Sequence, residues 1–202
     1  MKAVLAIITY FQMLTLTASE LSIQKLDQQL AASYRKQLIE LIKTDEYDRF
    51  VTPHGVNSEQ TFDGLITGGK QSYIATHDHQ LLGFITHAYM PEVWDANLGP
   101  ELATQVKQTI PHEKWDDTIN VYTLHHLLIH PEHRGKSIGT QLINQVINDG
   151  KIQNISGIII GVRRHNEVAR AFYQKLGSQE MEGIPQSEDM TLNLKLNLRS
   201  AD

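Results

Sequence analysis

The feature that most constrains this fold is an apolar segment followed directly by a basic glycine turn and an amphipathic segment. Residues 119–129 read INVYTLHHLLI, which has the composition of a buried strand. Residues 130–139 read HPEHRGKSIG, and the apolar residues that come next recur at helical spacing. These apolar residues are Ile138, Leu142, Ile143, Val146 and Ile147. The succession predicts a central strand, a tight turn and a helix that Gly150 ends.

The turn has the chemistry of an anion-binding site. N–H groups at a helix N-terminus are unpaired and point outward, and the helix dipole favours negative charge there. Gly135 and Gly139 let the backbone approach a ligand closely, while Arg134 and Lys136 add positive charge. The turn matches neither the GxxxxGK[ST] phosphate loop nor the GxGxxG dinucleotide pattern.

Composition limits the classes of protein to consider. A chain of 202 residues with 41% hydrophobic and 20% charged residues is long enough for one globular domain with a full core. The formal net charge of -5 argues against non-specific binding to nucleic acid. The absence of cysteine excludes disulfides, thiolate metal sites and a cysteine nucleophile.

The remaining segments predict strands and helices around this centre. Strands are predicted at 21–27, at 72–90 on both sides of a turn near 78–80, at 157–162 and at 190–198. Helices are predicted at 30–43, at 102–110 and at 167–176, where Val168, Phe172 and Leu176 lie one turn apart. Gly83 is interpreted as marking a bulge, and Gly177 as the cap that ends the last helix. The order predicts a mixed α/β domain.

Two motifs on this frame resemble one enzyme family. Arg134-x-x-Ser137-x-Gly139 lies between a strand and a helix, and AFYQKLG at 171–177 follows Asn166 after a second buried strand. The pattern resembles the GNAT acetyltransferases, most specifically from about residue 119 to 178. The resemblance implies an α/β GNAT fold: a mixed, mostly antiparallel central sheet with a parallel, splayed strand pair and helices on both faces.

Domain boundaries follow from the resemblance. The GNAT acetyltransferase domain is predicted to span 20–202, preceded by an apolar extension at 1–19. That extension contains MKAVLAIITYFQMLTLTA, which is either a secretory signal or an extra element packed on the domain. It is too short and too mixed in composition to span a bilayer.

The resemblance also implies acetyl-CoA as cosubstrate. The loop that would receive its pyrophosphate comprises Arg134, Gly135, Lys136, Ser137, Ile138, Gly139 and Thr140. The pantetheine arm would pair with the backbone of Leu127, Leu128 and Ile129, and the side chain of Asn166 would bond it further along. Ser137 departs from the family pattern, which has glycine there. A left-handed backbone at this serine would cost roughly 1–2 kcal/mol.

Two proton-transfer residues are carried over as hypotheses. Tyr173 matches the family tyrosine that protonates the leaving thiolate, and its alternative interpretation is a core aromatic. Strict alternation along the strand would place Thr123, His125, Leu127 and Ile129 on one face, with Tyr122, Leu124 and His126 on the other. The resemblance implies a base at the position of Thr123 or His125, or a chain of water molecules. Threonine is no base near neutral pH, so His125 is the candidate base, ahead of His126.

The functional hypothesis is an N-acetyltransferase that moves an acetyl group to a primary amine by direct attack. The acceptor is a small molecule or a peptide, and residues 44–70 and 91–118 are the expected acceptor loops. A non-catalytic acyl-CoA-binding module is the first alternative, and a secreted interaction protein is the second. We expect a cytoplasmic location, export being the alternative if residues 1–18 are a signal. No nucleic-acid or membrane partner is expected. No metal is assigned, since His77 and His79 are interpreted as a solvent-facing hairpin tip.

Overall fold

The computed structural model describes residues 21–44, 58–67, 70–92, 100–109, 120–163, 165–180 and 192–198. The strands are β1 (Ser22–Lys25), β2 (Gln71–His77), β3 (Gln80–Tyr89), β4 (Val121–Ile129), β5 (Gly157–Val162), β6 (Gln179–Glu180) and β7 (Leu192–Asn197). The helices are α1 (Gln28–Lys43), α2 (Ser58–Ile66), α3 (Pro100–Thr109), α4 (Ile138–Ile152) and α5 (Glu167–Lys175). The predicted elements are confirmed within one to three residues wherever the chain is described. The extension at 1–19 lies outside the described residues.

The strands form one mixed sheet in the order β1-β2-β3-β4-β5-β7-β6. Within it, β4 and β5 are parallel, and every other neighbouring pair among the described strands is antiparallel. The helix α4 connects the parallel pair, as a crossover between parallel strands requires. This arrangement places the predicted glycine turn at the end of the central strand, where the chain leaves the sheet for α4.

Both faces of the sheet are covered by helices, because alternate residues along each strand point to opposite sides. One core lies between the sheet and α4 with α5, and the other lies between the sheet and α1 with α2. On β2, Tyr73 and Ala75 belong to the first core while Ile74 belongs to the second. The strands at the centre are therefore apolar on both faces, which explains continuous runs such as GIIIGV.

Two details of the helices differ from the sequence prediction. Gly150 does not end α4, which continues to Ile152, with left-handed Asn154 (φ 56°) just beyond it. An added Cβ at Gly150 would lie 2.5 Å from Leu198 Cδ1, so the glycine is there for close packing. On α5, Val168 is 84% exposed and lies outside the apolar face.

The hairpin between β2 and β3 agrees with its prediction. Asp78 and His79 form the turn with φ values of 47° and 62°, the left-handed pair that a two-residue hairpin turn requires. The register shifts between Ala75, which opposes Gly83, and Thr76, which opposes Leu81. The predicted irregularity beside Gly83 is therefore confirmed.

Candidate active site

A gap opens in the sheet beside the end of β4. The parallel pairing of β4 with β5 ends at Leu124 and Ile160, although β4 continues to Ile129 alongside β3. Over its last residues β4 therefore has a hydrogen-bonded neighbour on one side only. The backbone groups that point to the other side are directed into the opening between the two strands.

The backbone of Leu127 and Ile129 points into this gap. The His130 N–H donates to the Leu82 carbonyl at 2.8 Å. Because bonded and non-bonded pairs alternate in an antiparallel ladder, the same register makes Leu128 a partner of β3 through its backbone. Leu127 and Ile129 then direct their N–H and C=O groups away from β3. Of the three residues predicted to hold the pantetheine arm, these two direct backbone groups into the gap, where the Ile129 carbonyl already accepts a hydrogen bond from Arg134.

A β-bulge at His125 changes the faces of the strand. Thr86 pairs with His126 and His87 pairs with Leu124, so His125 is the extra residue on β4. The predicted strict alternation is therefore wrong beyond residue 124. Tyr122, Leu124, Leu127 and Ile129 all pack on the core of α4 and α5, whereas Leu128 packs on the core of α1 and α2.

The glycine turn after β4 delivers free amide groups to solvent. The first hydrogen bond of α4 runs from the Gln141 N–H to the Ser137 carbonyl at 3.1 Å. The N–H groups of Ile138, Gly139 and Thr140 thus have no acceptor within the helix. Ser137 makes no capping hydrogen bond with its side chain. The Ile138 side chain is buried in the core, so only its backbone is available to a ligand.

The turn has the left-handed conformations that its glycines suggest. Gly135 has a φ of 75°, and Ser137 has a φ of 62°. The left-handed case that the sequence analysis left open for Ser137 is therefore the one that applies. Arg134, Gly135, Lys136 and Ser137 are all exposed, which leaves both cationic side chains beside the free amides. The Arg134 Nε donates to the Ile129 carbonyl at 3.2 Å, so the guanidinium lies at the mouth of the gap.

Helix α5 packs directly on this turn. A Cβ built on Gly139 would lie 3.5 Å from the Phe172 ring, an ordinary van der Waals distance, so the start of α4 and α5 are in contact at this residue. Asn166 begins α5 by accepting a hydrogen bond on its side-chain oxygen from the Ala169 N–H at 3.0 Å. The oxygen is thus used as a helix cap. Only the side-chain NH₂ remains as a donor toward a ligand.

Tyr173 faces the interior and is 6% exposed, within the core of α4 and α5. Burial raises the pKa of its hydroxyl well above the ordinary value, because the phenolate would lose its hydration. The hydroxyl therefore stays protonated at every physiological pH. Phe172 is less buried than its neighbour, the reverse of what the sequence suggested.

The His125 side chain is partly buried, and its surroundings make the imidazole a weak base. Burial and then the nearby Lys70 cation lower the pKa of its imidazole to about 4. The pKa of His126 falls to about 4 through burial and then through His125 and Lys70. Burial also lowers the pKa of Lys70. Sequence analysis missed Lys70, because 55 positions along the chain separate it from His125 and only the sheet brings them together.

A third histidine, His87 on β3, was also missed. It is fully buried and its ring lies between two tyrosine rings, with centroid distances of 6.1 Å to Tyr73 and 4.7 Å to Tyr122. Burial lowers the pKa of His87 to about 4. Tyr73 donates a hydrogen bond to Asp149 of α4 on the same side of the sheet. These groups lie behind the β4 bulge, within the core.

The predicted hairpin tip is confirmed for His77 and His79. His79 is exposed in the turn, and His77 Nδ1 lies 3.5 Å from the Asp78 carboxylate. Among the described residues, a different set brings three possible metal ligands within 4.8 Å of one another: His130, Glu132 and His133. No helix in the described part of the chain is long and apolar enough to cross a membrane.

Comparison with known proteins identifies the family. The sequence profile of the acetyltransferase (GNAT) family matches residues 35–178. The chain belongs to this family. The match includes the strand pair, the glycine turn and α5, so the resemblance seen in the sequence is confirmed. A comparison with curated proteins gives no match.

Solved acetyltransferases share the GNAT fold with this chain. One from Staphylococcus aureus Mu50 is 20% identical, with a TM-score of 0.59 over 89% of this chain and 100% of that chain. The ribosomal-protein-S18-alanine N-acetyltransferase from Escherichia coli is 14% identical, with a TM-score of 0.57 over 91% and 97%. An aminoglycoside 6'-N-acetyltransferase complexed with coenzyme A is 14% identical, with a TM-score of 0.60 over 90% and 99%. At these identities the likeness concerns the fold.

Proposed function

We propose that this GNAT protein transfers an acetyl group from acetyl-CoA to a primary amine by direct attack. The observation that carries the proposal is the start of α4, where three amides without helical acceptors lie beside Arg134 and Lys136. A pyrophosphate has the charge and the acceptor oxygens that such a site favours. The turn from Arg134 to Thr140 is the proposed pyrophosphate loop.

The gap beside β4 is the proposed path of the pantetheine arm. Leu127 directs its N–H and C=O groups into it, and Ile129 its N–H group, which suits an arm built of amides. The NH₂ group of Asn166 adds a donor from the start of α5. An arm bound in this way would end near the bulge at His125, so that the thioester lies beside the strand amides.

Two side chains are assigned to the proton transfers. When the amine nitrogen attacks the thioester carbon, the nitrogen becomes acidic and its proton goes to His125, directly or through water. His125 is neutral at physiological pH because its pKa is lowered to about 4, so its lone pair is free, and it is a weaker base than an exposed histidine. As the carbon–sulfur bond breaks, the hydroxyl of Tyr173 donates a proton to the thiolate. Its raised pKa keeps the phenol protonated at neutral pH, as the acid role requires, and makes it a weaker acid than an exposed tyrosine.

The second candidate is a non-catalytic acyl-CoA-binding module. The burial of Tyr173 at 6% exposure favours it, since a tyrosine that only packs in the core needs no contact with the thioester. The glycine turn would be the same in either case. Both candidates bind acyl-CoA, and only the transferase turns it over.

The acceptor is proposed as a class, a primary amine on a small molecule or a peptide. Most of the expected acceptor-loop sequence at 44–70 and 91–118 lies outside the described residues. The neighbours named above include a ribosomal-protein-S18-alanine N-acetyltransferase and an aminoglycoside 6'-N-acetyltransferase. A cytoplasmic location fits the proposal, since acyl-CoA is a cytosolic metabolite.

The test separates binding from turnover with two variants. Acetyl-CoA at millimolar concentration should raise the melting temperature of the wild type, because a ligand of the folded state stabilises it by mass action. Tyr173→Phe should keep that shift and lose turnover by roughly 10²-fold or more across an amine panel. Gly139→Trp should lose both, since a bulky side chain would collide with the Phe172 ring.

Each outcome decides between the candidates. No shift in the wild type would reject any acyl-CoA function. A shift without transfer to any amine in the panel would identify the binding module. Unchanged turnover in Tyr173→Phe would mean that Tyr173 only packs in the core and is not the acid, while the transferase activity itself would stand.

A further inference from the structure

Three side chains converge at the turn that joins β4 to the proposed pyrophosphate loop. His130, Glu132 and His133 each offer one ligand atom, and these atoms lie within 4.8 Å of one another. The two imidazole rings meet edge to face at a centroid distance of 5.6 Å. None of these side chains has a part in the proposed acetyl transfer.

Local backbone structure fixes this convergence. Pro131–His133 forms a single 3-10 turn with His130 as its N-cap, and the His133 N–H donates to the His130 carbonyl at 2.8 Å. In a 3-10 turn the side chains at positions i and i+3 are eclipsed, which brings the two histidines onto one side. His130 is also anchored by its N–H bond to Leu82 of β3. The geometry is therefore imposed by the end of the sheet.

One ring nitrogen of the cluster is buried without a hydrogen-bond partner. His130 Nδ1 is inaccessible to solvent and finds no donor or acceptor in the described part of the chain. A buried ring nitrogen without a partner loses the hydrogen bond that it had with water. Coordination of a metal ion by His130 Nδ1, beside a second imidazole and a carboxylate, would compensate that loss.

We propose that His130, Glu132 and His133 bind one divalent transition-metal ion, for which Zn²⁺ is the reference. Two imidazoles and one carboxylate form a borderline donor set that suits zinc, copper or nickel, whereas magnesium and calcium require oxygen ligands. Three protein ligands leave the fourth tetrahedral position to water. The ion would link the end of β4 to the residue before Arg134 and so hold the entry to the glycine turn.

Lys136 is the built-in competitor of this site. Its Nζ lies 3.4 Å from His133 Nδ1, where an ammonium group both occupies the ring nitrogen and repels a cation. Lys136 is exposed, so its side chain can turn away without loss of packing. The charged or titratable groups that face His133 are Lys136, Glu132, His130 and, from the β2–β3 hairpin, His77. Among these, Glu132 alone attracts a cation.

Titration of the full-length, tag-free protein with Zn²⁺ at pH 7.5 tests the site by calorimetry. The wild type should bind one ion, and Glu132→Gln and His133→Ala should each weaken binding by about tenfold or more. Lys136→Met should bind Zn²⁺ more tightly than the wild type, because it removes the competing ammonium group. His79→Ala, on the exposed hairpin tip, is the matched control and should bind as the wild type does. Mg²⁺ should give no heat of binding.

The site is rejected if Glu132→Gln and His133→Ala bind Zn²⁺ as the wild type does, or if His79→Ala alone weakens binding. Both residues lie at the surface or close to it, and an unchanged melting temperature would show that the variants fold. Absorption of bound Co²⁺ provides a second measurement: wild-type protein should give the visible bands of a tetrahedral ion, and His133→Ala should not. Acetyl transfer is not measured, so failure of the metal site leaves the proposed function unaffected.

Discussion

Ser137 occupies a backbone conformation that glycine tolerates better than any other residue. Its φ of 62° lies in the left-handed region, and its hydroxyl makes no capping bond that would compensate. An exposed serine in this position is therefore strained at the point where the chain presents free amides. The amides themselves are fixed by the helix that follows, so the strain and the anion site are separable.

We expect Ser137→Gly to raise the free energy of unfolding by about 0.5–1 kcal/mol. Relief of roughly 1–2 kcal/mol of left-handed strain exceeds the extra entropy that glycine loses on folding. Urea unfolding monitored by circular dichroism measures the change. Ser33→Gly is the matched control, since Ser33 is exposed within α1 and glycine there should destabilise by about 0.5–1 kcal/mol.

Two outcomes with this pair of variants would contradict backbone strain at Ser137 as the only role of the residue. If Ser137→Gly is destabilised as much as Ser33→Gly, then the left-handed backbone at Ser137 carries no strain. If Ser137→Gly is more stable but binds acetyl-CoA more weakly, the serine hydroxyl itself contributes to the phosphate site.

At the scale of elements, the bulge in β4 determines which side chains reach the gap. An extra residue at His125 moves Leu127 and Ile129 to the face that already carries Tyr122 and Leu124. It coincides with the end of pairing between β4 and β5 at Leu124. One irregularity therefore opens the sheet and places an imidazole beside the opening.

We expect His125→Gln to lower kcat for acetyl transfer by about 10²-fold, the usual contribution of a general base. The pKa of His125 is about 4, so the imidazole is unprotonated throughout the neutral range and adds no limb of its own there. The acidic limb of kcat/KM in the wild type should therefore follow the pKa of the acceptor amine. Steady-state rates from pH 5.5 to 9 with two amines of different pKa measure both effects.

His126→Gln is the control for this experiment. His126 lies on the other side of the bulge, with its ring 6.3 Å from that of Phe84, and its loss should leave kcat near the wild-type value. A limb fixed near pH 6–7 for both amines, or an unchanged rate in His125→Gln, would remove His125 from the proposed mechanism.

At the scale of the whole molecule, three histidines on two neighbouring strands are held neutral by burial. The pKa values of His87, His125 and His126 are each lowered to about 4, while the unfolded chain has the ordinary value of about 6.5. Between these pH values the unfolded state binds more protons than the folded state. The free energy of unfolding therefore rises with pH in this window.

We expect stability to be complete above about pH 6.5 and to fall as the pH is lowered toward 4. Each histidine contributes a slope of up to about 1.4 kcal/mol per pH unit. Urea unfolding at closely spaced pH values measures the slope. For each protein, the free energy of unfolding is expressed relative to its own value at pH 7. His87→Phe should flatten the slope, since a phenylalanine between Tyr73 and Tyr122 takes up no proton when the chain unfolds.

His79→Gln provides the control, because His79 is exposed in the hairpin turn and should leave the slope unchanged. Equal slopes in the wild type and in His87→Phe would mean that His87 has the same pKa in the folded and unfolded states. The pH dependence would then come from other groups.

The sequence alone determined the parts of this protein that depend on neighbours along the chain. A helix start, a glycine turn and an apolar strand are local structures, so the turn at 134–140, the helix that follows Asn166 and the succession of strands and helices along the chain were predictable. The family pattern lies in these same local segments, which is why it was visible without a structure. Helix and strand boundaries followed for the same reason.

The tertiary structure alone decided where those local pieces meet. The bulge at His125 follows from register with β3, because strict alternation is the default for a strand and only a partner strand can displace it. Gly150 was mistaken for a helix end, since its requirement for space comes from Leu198, 48 positions away. The approach of Lys70 to His125 likewise depends on the order of the strands. Contacts between distant segments arise from packing of the whole sheet, and no local pattern encodes them.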